Sequence, residues 1–137
     1  MAYRILVVED EAITALDLKL GLQEVGYEVI DTVATGQEAI DVAAEQRPDC
    51  IIMDINLKGD MDGIEAAEKI LQLSLPVVYL TANTDDFTFE RANVAGSYGF
   101  IEKPFILNKL DKVIQLTINR QKIEDEKVIL AQGFVKD

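Results

Sequence analysis

The chain of 137 residues contains no histidine, a single cysteine, and 13 basic residues against 25 acidic ones. Without histidine, the chain has no imidazole to act as a general base, a zinc ligand or a carrier of a phosphoryl group. Cys50 cannot form a disulfide within the chain, which fits a reducing compartment, and its simplest interpretation is a small buried hydrophobic side chain. These absences exclude several common catalytic and metal-binding arrangements.

The charge balance and the hydrophobic runs limit the partners of the chain. The net charge is −12, and no dense cluster of lysine and arginine reverses it locally, so direct binding of nucleic acid or of anionic lipid is not expected. No apolar run approaches the roughly 20 residues of a membrane helix. The apolar run near the start, from Ile5 to Val8, is too short for a secretory signal. We therefore expect a cytoplasmic protein that is not bound to a membrane.

Apolar runs alternate with helical spacing along the chain. The predicted strands are 4–8, 27–33, 50–55, 76–80 and 97–101. Helices are predicted between and after them, around 15–25, 39–43, 64–71, 86–95 and 107–117. A strand followed by a helix, five times over, predicts an α/β domain in which right-handed crossovers join parallel strands and helices cover both faces of the sheet.

Polar residues follow the predicted strands at the point where each strand ends. In an open parallel sheet, ligands bind beyond the carboxyl ends of the strands. The groups at those ends are Glu9, Asp10 and Glu11 after the first strand, Asp54 and Asn56 at the third, Thr81 and Asn83 at the fourth, and Lys103 at the fifth. We expect these groups to converge on one edge of the sheet.

Such a group of residues is suited to phosphoryl chemistry. Two or three carboxylates with carbonyl and water oxygens form a good Mg²⁺ site. A metal ion and Lys103 would keep Asp54 ionised and nucleophilic, and Thr81 would donate a hydrogen bond to a transferring phosphoryl group. Each residue alone has an ordinary structural explanation, such as an acidic first turn of a helix. Their coincidence at four strand ends favours a site.

Four motifs in their order and spacing resemble the receiver domain of two-component response regulators, of which the chemotaxis response regulator is a single-domain example. They are ILVVEDE, IIMDINL, VVYLTAN and GFIEKPF, and the match covers about residues 3–120. The resemblance implies a doubly wound (βα)5 fold with strand order 2-1-3-4-5. It also implies a receiver domain over 1–120, followed by a helical extension or linker over 121–137.

The resemblance assigns roles in phosphorylation and metal binding. Asp54 would be the phosphoacceptor, and Lys103 would bind the phosphoryl group. Asp10 would bind Mg²⁺ or Mn²⁺ directly, Asp54 would be a further metal ligand, Glu9 would act through a water molecule, and Asn56 would contribute its backbone carbonyl.

A second set of roles concerns switching and the lifetime of the phosphoryl group. Thr81 would be the switch hydroxyl and Phe100 the switch aromatic, and the peptide bond before Pro104 would be cis. Asn56 and Asn83 occupy the two positions that tune the lifetime. Neither can act as a base, but either side-chain amide can orient a water molecule. We therefore expect self-dephosphorylation over minutes.

The sequence departs from the family pattern in two places. In the loop NLKGDMDGIE, Lys58 stands where a proline is common, and one extra residue precedes the Asp-Gly pair. The shape of the loop that carries Asn56 is therefore left open. Phe100 replaces a frequent tyrosine, so its ring lacks a hydroxyl to bond with a partner.

The resemblance also implies partners. The phosphoryl donor would be a histidine kinase or a histidine phosphotransfer protein. The signal would pass on to an output protein or an output domain. A homodimer would form through the fourth helix, the fifth strand and the fifth helix. The chain would not be an enzyme beyond catalysing its own phosphorylation and dephosphorylation.

Three other interpretations stay open at this point. A phosphatase of the haloacid dehalogenase type also uses a strand-end aspartate, but on its first strand and with a second aspartate two residues later. A flavodoxin-like FMN binder needs a phosphate loop where this chain has the acidic EDEAIT. A pseudo-receiver would only bind a partner.

The C-terminal segment has several possible structures. Apolar residues recur every seven positions there, at Leu116, Ile123 and Leu130. This spacing predicts a longer helix, a partner contact or a linker to another domain. A frayed polar tail is the remaining alternative.

Overall fold

The structure is a computed structural model that describes residues 2–82 and 99–136. Within these ranges it contains five strands, Arg4–Val8 (β1), Glu28–Val33 (β2), Cys50–Asp54 (β3), Val77–Thr81 (β4) and Gly99–Glu102 (β5). The helices in the same ranges are Ala12–Glu24 (α1), Gly36–Gln46 (α2), Gly63–Leu71 (α3) and the C-terminal helix, Leu107–Lys136. Asn83 and the helix predicted over 86–95 lie outside the described residues.

All strand pairs in the sheet are parallel, and the strand order is β2-β1-β3-β4-β5. This confirms the predicted fold class and strand order. In the register of the sheet, Asp54 pairs with Leu80 and Thr81 pairs with Glu102. Because every strand runs in the same direction, the residues that end the strands meet at one edge.

The sheet separates two hydrophobic cores, because successive side chains of a strand point to opposite faces. One core includes Leu6, Ile51, Met53 and Tyr79 of the strands and packs against α2 and α3. The other includes Ile5, Ile52, Cys50 and Leu80 and packs against α1 and the C-terminal helix. The central strands are buried on both faces, which explains their nearly continuous apolar sequences.

Two helix ends are fixed by local sequence signals. α1 ends at Glu24, and Val25 forms its C-cap rather than a further helical turn. Gly26 follows with a φ of 100°, a left-handed conformation that glycine adopts without strain. α3 begins with a capping box, in which the Glu65 N–H donates to Asp62 Oδ1 over 2.9 Å and the Asp62 N–H donates to Glu65 Oε1 over 3.5 Å.

The C-terminal helix continues without interruption past the predicted boundary at residue 120. Its 30 residues correspond to roughly 45 Å of helix. Thr117 and Ile118 are buried against the sheet, whereas every described side chain from Lys122 to Ala131 is exposed. The division into a receiver domain and an extension stays a prediction. Among the described residues, no helix is both long enough and apolar enough to cross a membrane.

Candidate functional site

Three carboxylates meet at the carboxyl edge of the sheet. Glu9 and Asp10 follow β1, and Asp54 ends β3 at the centre of the sheet. One carboxylate oxygen from each of these residues lies within 4.8 Å of the others. Glu9 and Asp54 are buried and Asp10 is half-buried. The structure therefore brings together acids that are more than 40 residues apart in the sequence.

Lys103 supplies the positive charge of this cluster from the loop after β5. Its Nζ lies 2.6 Å from Glu9 Oε1 and 3.2 Å from Asp54 Oδ2. Its backbone N–H donates to the Thr81 carbonyl over 2.8 Å, and the Lys103–Pro104 peptide bond is cis. The hydrogen bond from the Lys103 N–H fixes the lysine loop to the end of β4, which holds the ammonium group over the two acids.

Burial and mutual repulsion change the protonation of the cluster. Burial of Glu9, with the Asp54 carboxylate beside it, raises the pKa of Glu9 from 4.5 to about 7, although Lys103 acts in the opposite direction. Burial alone would lower the pKa of Lys103, but its contacts with Glu9 and Asp54 outweigh burial and raise that pKa above 10.5. Lys103 therefore stays charged at neutral pH, while Glu9 is close to the midpoint of its titration.

The Asp54 carboxylate is oriented through both of its oxygens. Oδ1 accepts a hydrogen bond from the Asn56 N–H over 3.0 Å, and Oδ2 faces Lys103. The side chain of Asn56 is exposed next to this contact. A buried carboxylate with two partners is held in one orientation, so Asp54 is the buried acid at the site with the most fixed geometry.

Asp10 is held by a contact that the sequence did not predict. Its Oδ2 accepts a hydrogen bond of 3.1 Å from the backbone N–H of Lys58, in the loop after β3. A proline at position 58 could not donate this bond, because proline has no backbone N–H. The departure of this loop from the family pattern is therefore linked to the position of a candidate metal ligand.

Gly63 is a further residue of the site that sequence reasoning missed. A Cβ on Gly63 would lie 2.0 Å from the backbone oxygen of Asp54, and the Gly63 N–H donates to the Ile55 carbonyl over 2.9 Å. Only glycine allows α3 to start so close to the end of β3. The Asp-Gly pair is visible in the sequence of the loop, but no local signal reports that the backbones come so close.

The candidate switch residues lie on the two neighbouring strands. Thr81 is fully buried at the end of β4. Phe100 on β5 pairs with Tyr79 in the register of the sheet, and the two rings meet edge to face with centroids 6.3 Å apart. This arrangement contributes roughly 0.5–1.5 kcal/mol beyond burial. Phe100 is half-buried and packs against the core that contains Tyr79.

The chemistry of the acidic cluster fits a divalent cation. Glu9 Oε2 is buried and has no hydrogen-bond partner among the described residues. A buried oxygen without a partner is costly, and a cation beside it would remove that cost. Three carboxylates face one ammonium group, and oxygen ligands of this type suit Mg²⁺. Asp10 and Asp54 would hold the ion, with Glu9 next to it.

Comparisons with known proteins agree with this geometry. The family model described as "response regulator receiver domain" matches residues 5–115. The transcriptional regulatory protein PdtaR of Mycobacterium tuberculosis H37Rv is 39% identical over 118 residues, which are 85% of this chain and 57% of PdtaR. The chain thus spans little more than half the length of that relative.

Solved structures give the same family. The signal receiver domain of a modulated diguanylate cyclase from Desulfovibrio desulfuricans G20 is similar with a TM-score of 0.86 and 33% identity, over 90% of this chain and 99% of the other. The receiver domain of sensor histidine kinase PA1611 from Pseudomonas aeruginosa PAO1 has a TM-score of 0.78 and 32% identity, over 87% and 99%. Its crystal structure has a magnesium ion coordinated in the active-site cleft. Together with the match over 5–115, these similarities show that the chain belongs to the response regulator receiver domain family.

Proposed function

We propose that this chain accepts a phosphoryl group on Asp54 from a histidine kinase or a histidine phosphotransfer protein, in a reaction that requires Mg²⁺ or Mn²⁺. The observation that carries the proposal is the cluster of Glu9, Asp10 and Asp54 with the Lys103 ammonium at the carboxyl edge of the sheet. The receiver family to which the chain belongs is a family of signalling domains in two-component systems. The magnesium ion bound by the PA1611 receiver domain supports the same metal here.

In the proposed reaction, an oxygen of Asp54 attacks the phosphorus atom while the bond from phosphorus to the donor nitrogen breaks. The electron pair of that bond leaves with the donor imidazole, and an aspartyl phosphate forms. The bound divalent cation would supply positive charge to the phosphoryl oxygens. The Asn56 N–H keeps the carboxylate oriented, Lys103 exchanges a carboxylate contact for a phosphoryl oxygen, and Thr81 donates a hydrogen bond to another.

The proposed output is a change of surface rather than turnover of a substrate. Thr81 moves toward the phosphoryl group, and the Phe100 ring turns inward toward Tyr79. Reversing a population from 1:99 to 99:1 requires roughly 5.5 kcal/mol, which a few charge-assisted hydrogen bonds can supply. The affected face comprises the helix predicted over 86–95, β5 and the C-terminal helix. The proposed homodimer and the output partner use this face, and the first of its elements lies outside the described residues.

The switch is tested by NMR. Beryllofluoride with Mg²⁺ is expected to shift the amide signals of β5 and of the C-terminal helix as well as those of the site. Shifts confined to the residues that touch the ligand would contradict the switch and leave the phosphorylation proposal intact.

Phosphorylation is tested by intact mass after incubation with acetyl phosphate. The wild-type chain is expected to gain one phosphoryl group with Mg²⁺ and none with excess EDTA, and Asp54→Asn is expected to gain none. The phosphoryl group is expected to be lost within minutes rather than many hours, because the side-chain amide of Asn56 or of Asn83 can orient a water molecule for its hydrolysis, although neither supplies a base. An unmodified wild-type chain would favour the pseudo-receiver, and repeated release of phosphate from monoesters would favour the phosphatase.

A further inference from the structure

Asp10 is the acid of the cluster whose position is least determined by burial and charge. Glu9 and Asp54 are buried, and both contact the Lys103 ammonium group, at 2.6 Å and 3.2 Å. Asp10 is half-buried, and it forms no ion pair among the described residues. Repulsion from nearby acids favours rotation of its carboxylate out toward water, where charge is solvated. Another contact is needed to keep Asp10 in the cluster.

The backbone of the loop after β3 supplies that contact. The Lys58 N–H donates to Asp10 Oδ2 over 3.1 Å, and within the described part of the chain this is the single hydrogen bond that the Asp10 carboxylate accepts. A hydrogen bond to an ionised acceptor is stronger than one between neutral groups. It engages one carboxylate oxygen, Oδ2, and leaves Oδ1 available to a cation. The N–H therefore holds Asp10 without using up its capacity as a ligand.

The loop that presents this N–H is anchored in the core on both sides of Lys58. Leu57 is buried in the core beside α2 and α3, and Met61 packs against the same core. The Met61 sulfur lies 3.0 Å from the place that a Cβ on Gly36 would occupy, at the start of α2. Gly59 has a φ of 104°, which allows the chain to turn between the two anchors. Core packing therefore sets the position of the N–H, while the Lys58 side chain stays exposed.

We propose that the backbone N–H of Lys58 is a positioning group for the divalent cation, which holds Asp10 beside Glu9 and Asp54 before the ion binds and thereby raises the affinity of the site. The inference rests on the metal requirement of the proposed function. The loop acts through Asp10 and does not touch the ion itself. Hydrogen-bond partners of metal ligands commonly change metal affinity by about 10–100-fold, and a single backbone N–H is expected to contribute about tenfold.

Metal binding without phosphorylation tests the positioning role. The Kd for Mn²⁺ is measured from the electron paramagnetic resonance signal of the free ion. Lys58→Pro removes the N–H and is expected to raise this Kd by about tenfold. Lys58→Ala is the matched control, because it loses the same positive charge but keeps the N–H, and its Kd is expected to stay within about twofold of wild type. An ester in place of the Leu57–Lys58 amide removes only the N–H and is expected to act like the proline.

Three outcomes of the Mn²⁺ titration would overturn the inference. Equal Kd values for the ester, Lys58→Pro and Lys58→Ala would show that the N–H does not affect the ion. Tighter binding without the N–H would show that it competes with the ion for Asp10. A wild-type chain that binds no Mn²⁺ would overturn the metal requirement of the proposed function as well, whereas the first two outcomes leave that requirement intact. Circular dichroism checks the fold, and the ester decides if the proline variant does not fold.

Saturating metal separates positioning of Asp10 from damage to the loop. With acetyl phosphate as donor, Lys58→Pro is expected to be phosphorylated more slowly than Lys58→Ala when Mg²⁺ is scarce. At saturating Mg²⁺ the two rates are expected to agree within about twofold, because the bound ion itself then keeps Asp10 in place. A rate for Lys58→Pro that stays low at saturation would show that the loop acts on something other than ion affinity, and would overturn the inference.

Discussion

Two regions of the molecule place side chains in opposite environments. The carboxyl edge of the sheet buries acidic groups, whereas the outer half of the C-terminal helix exposes apolar ones. At the sheet edge, Glu9 and Asp54 are acidic groups taken out of water. On the outer helix, Ile123 and Leu130 are apolar groups left in water. Both arrangements cost free energy in the isolated chain, because water solvates charge well and apolar surface poorly.

The difference between the regions indicates what each one binds. The buried acids are held rigidly by Lys103 and by backbone N–H groups, and a cation or a phosphoryl group needs such fixed geometry. Ile123 and Leu130 on the outer helix are exposed and lie seven residues apart, and a partner helix needs only such a periodic apolar surface. One chain therefore combines a preorganised polar pocket with an exposed apolar helix surface.

The largest effect expected from a single substitution is that of Gly63→Ala at the rigid edge. Its Cβ would lie 2.0 Å from the Asp54 oxygen, so the end of β3 or the start of α3 must move. We expect a loss of several kcal/mol in the free energy of unfolding. Denaturant titration measures it.

Gly21→Ala is the control, because a Cβ there meets Leu107 at an ordinary 3.4 Å. It lies within α1, where alanine is favoured over glycine, so stability is expected to stay level or rise by roughly 0.5–1 kcal/mol. Equal losses for the two variants would contradict the steric account of Gly63.

The two halves of the C-terminal helix are expected to respond differently to the same truncation. Ile114 is fully buried, so Ile114→Ala leaves a cavity and is expected to cost about 2–5 kcal/mol. Ile129 is mostly exposed, so Ile129→Ala is expected to stay within about 0.5 kcal/mol. Denaturant titrations of both variants at one low protein concentration make the comparison. A similar loss at both positions would show that the outer half is packed.

The smallest effect concerns protons at the acidic cluster. Glu9 has a pKa of about 7, and a proton on it opposes a nearby cation. Mg²⁺ affinity is therefore expected to rise from pH 6 to pH 8 by up to about tenfold and then to level off. NMR titration measures it, and Glu9→Gln is expected to remove most of the dependence. A pH-independent affinity for wild type would contradict the shifted pKa.

The raised pKa of Glu9 also determines whether the stability of the fold rises or falls with pH. The folded-state pKa of Glu9 lies above its ordinary value of 4.5, so the folded chain binds more protons than the unfolded chain between these two values. In EDTA, the contribution of Glu9 to stability is therefore expected to fall as the pH rises through that window.

Much of this molecule could be predicted from the sequence, because its strong signals are local. The buried strands are short apolar runs, and the polar residues that end them identify one edge of the sheet, so the sequence alone predicts that Asp54 lies at that edge. The contacts of Glu9 with Lys103 and of Asp10 with the Lys58 N–H were not predicted. Both contacts depend on the shapes of loops far apart in the chain, and local sequence patterns do not report those shapes.

The end of the C-terminal helix is a second feature that local sequence patterns do not determine. The heptad spacing of Leu116, Ile123 and Leu130 is visible in the sequence, and a longer helix is one of several structures that it allows. The structure extends that helix to Lys136. Spacing alone does not choose between helix and linker, because the stability of such a segment depends on what packs against it.

The central claim is that Asp54 is the phosphoacceptor, and chemical trapping tests it most directly. Sodium borohydride reduces an aspartyl phosphate to homoserine, which peptide mass mapping locates. After treatment with acetyl phosphate and Mg²⁺, we predict homoserine at position 54 and at no other aspartate, and none in EDTA. Homoserine at position 10 instead, or no conversion in a chain that has gained a phosphoryl group, would contradict the account.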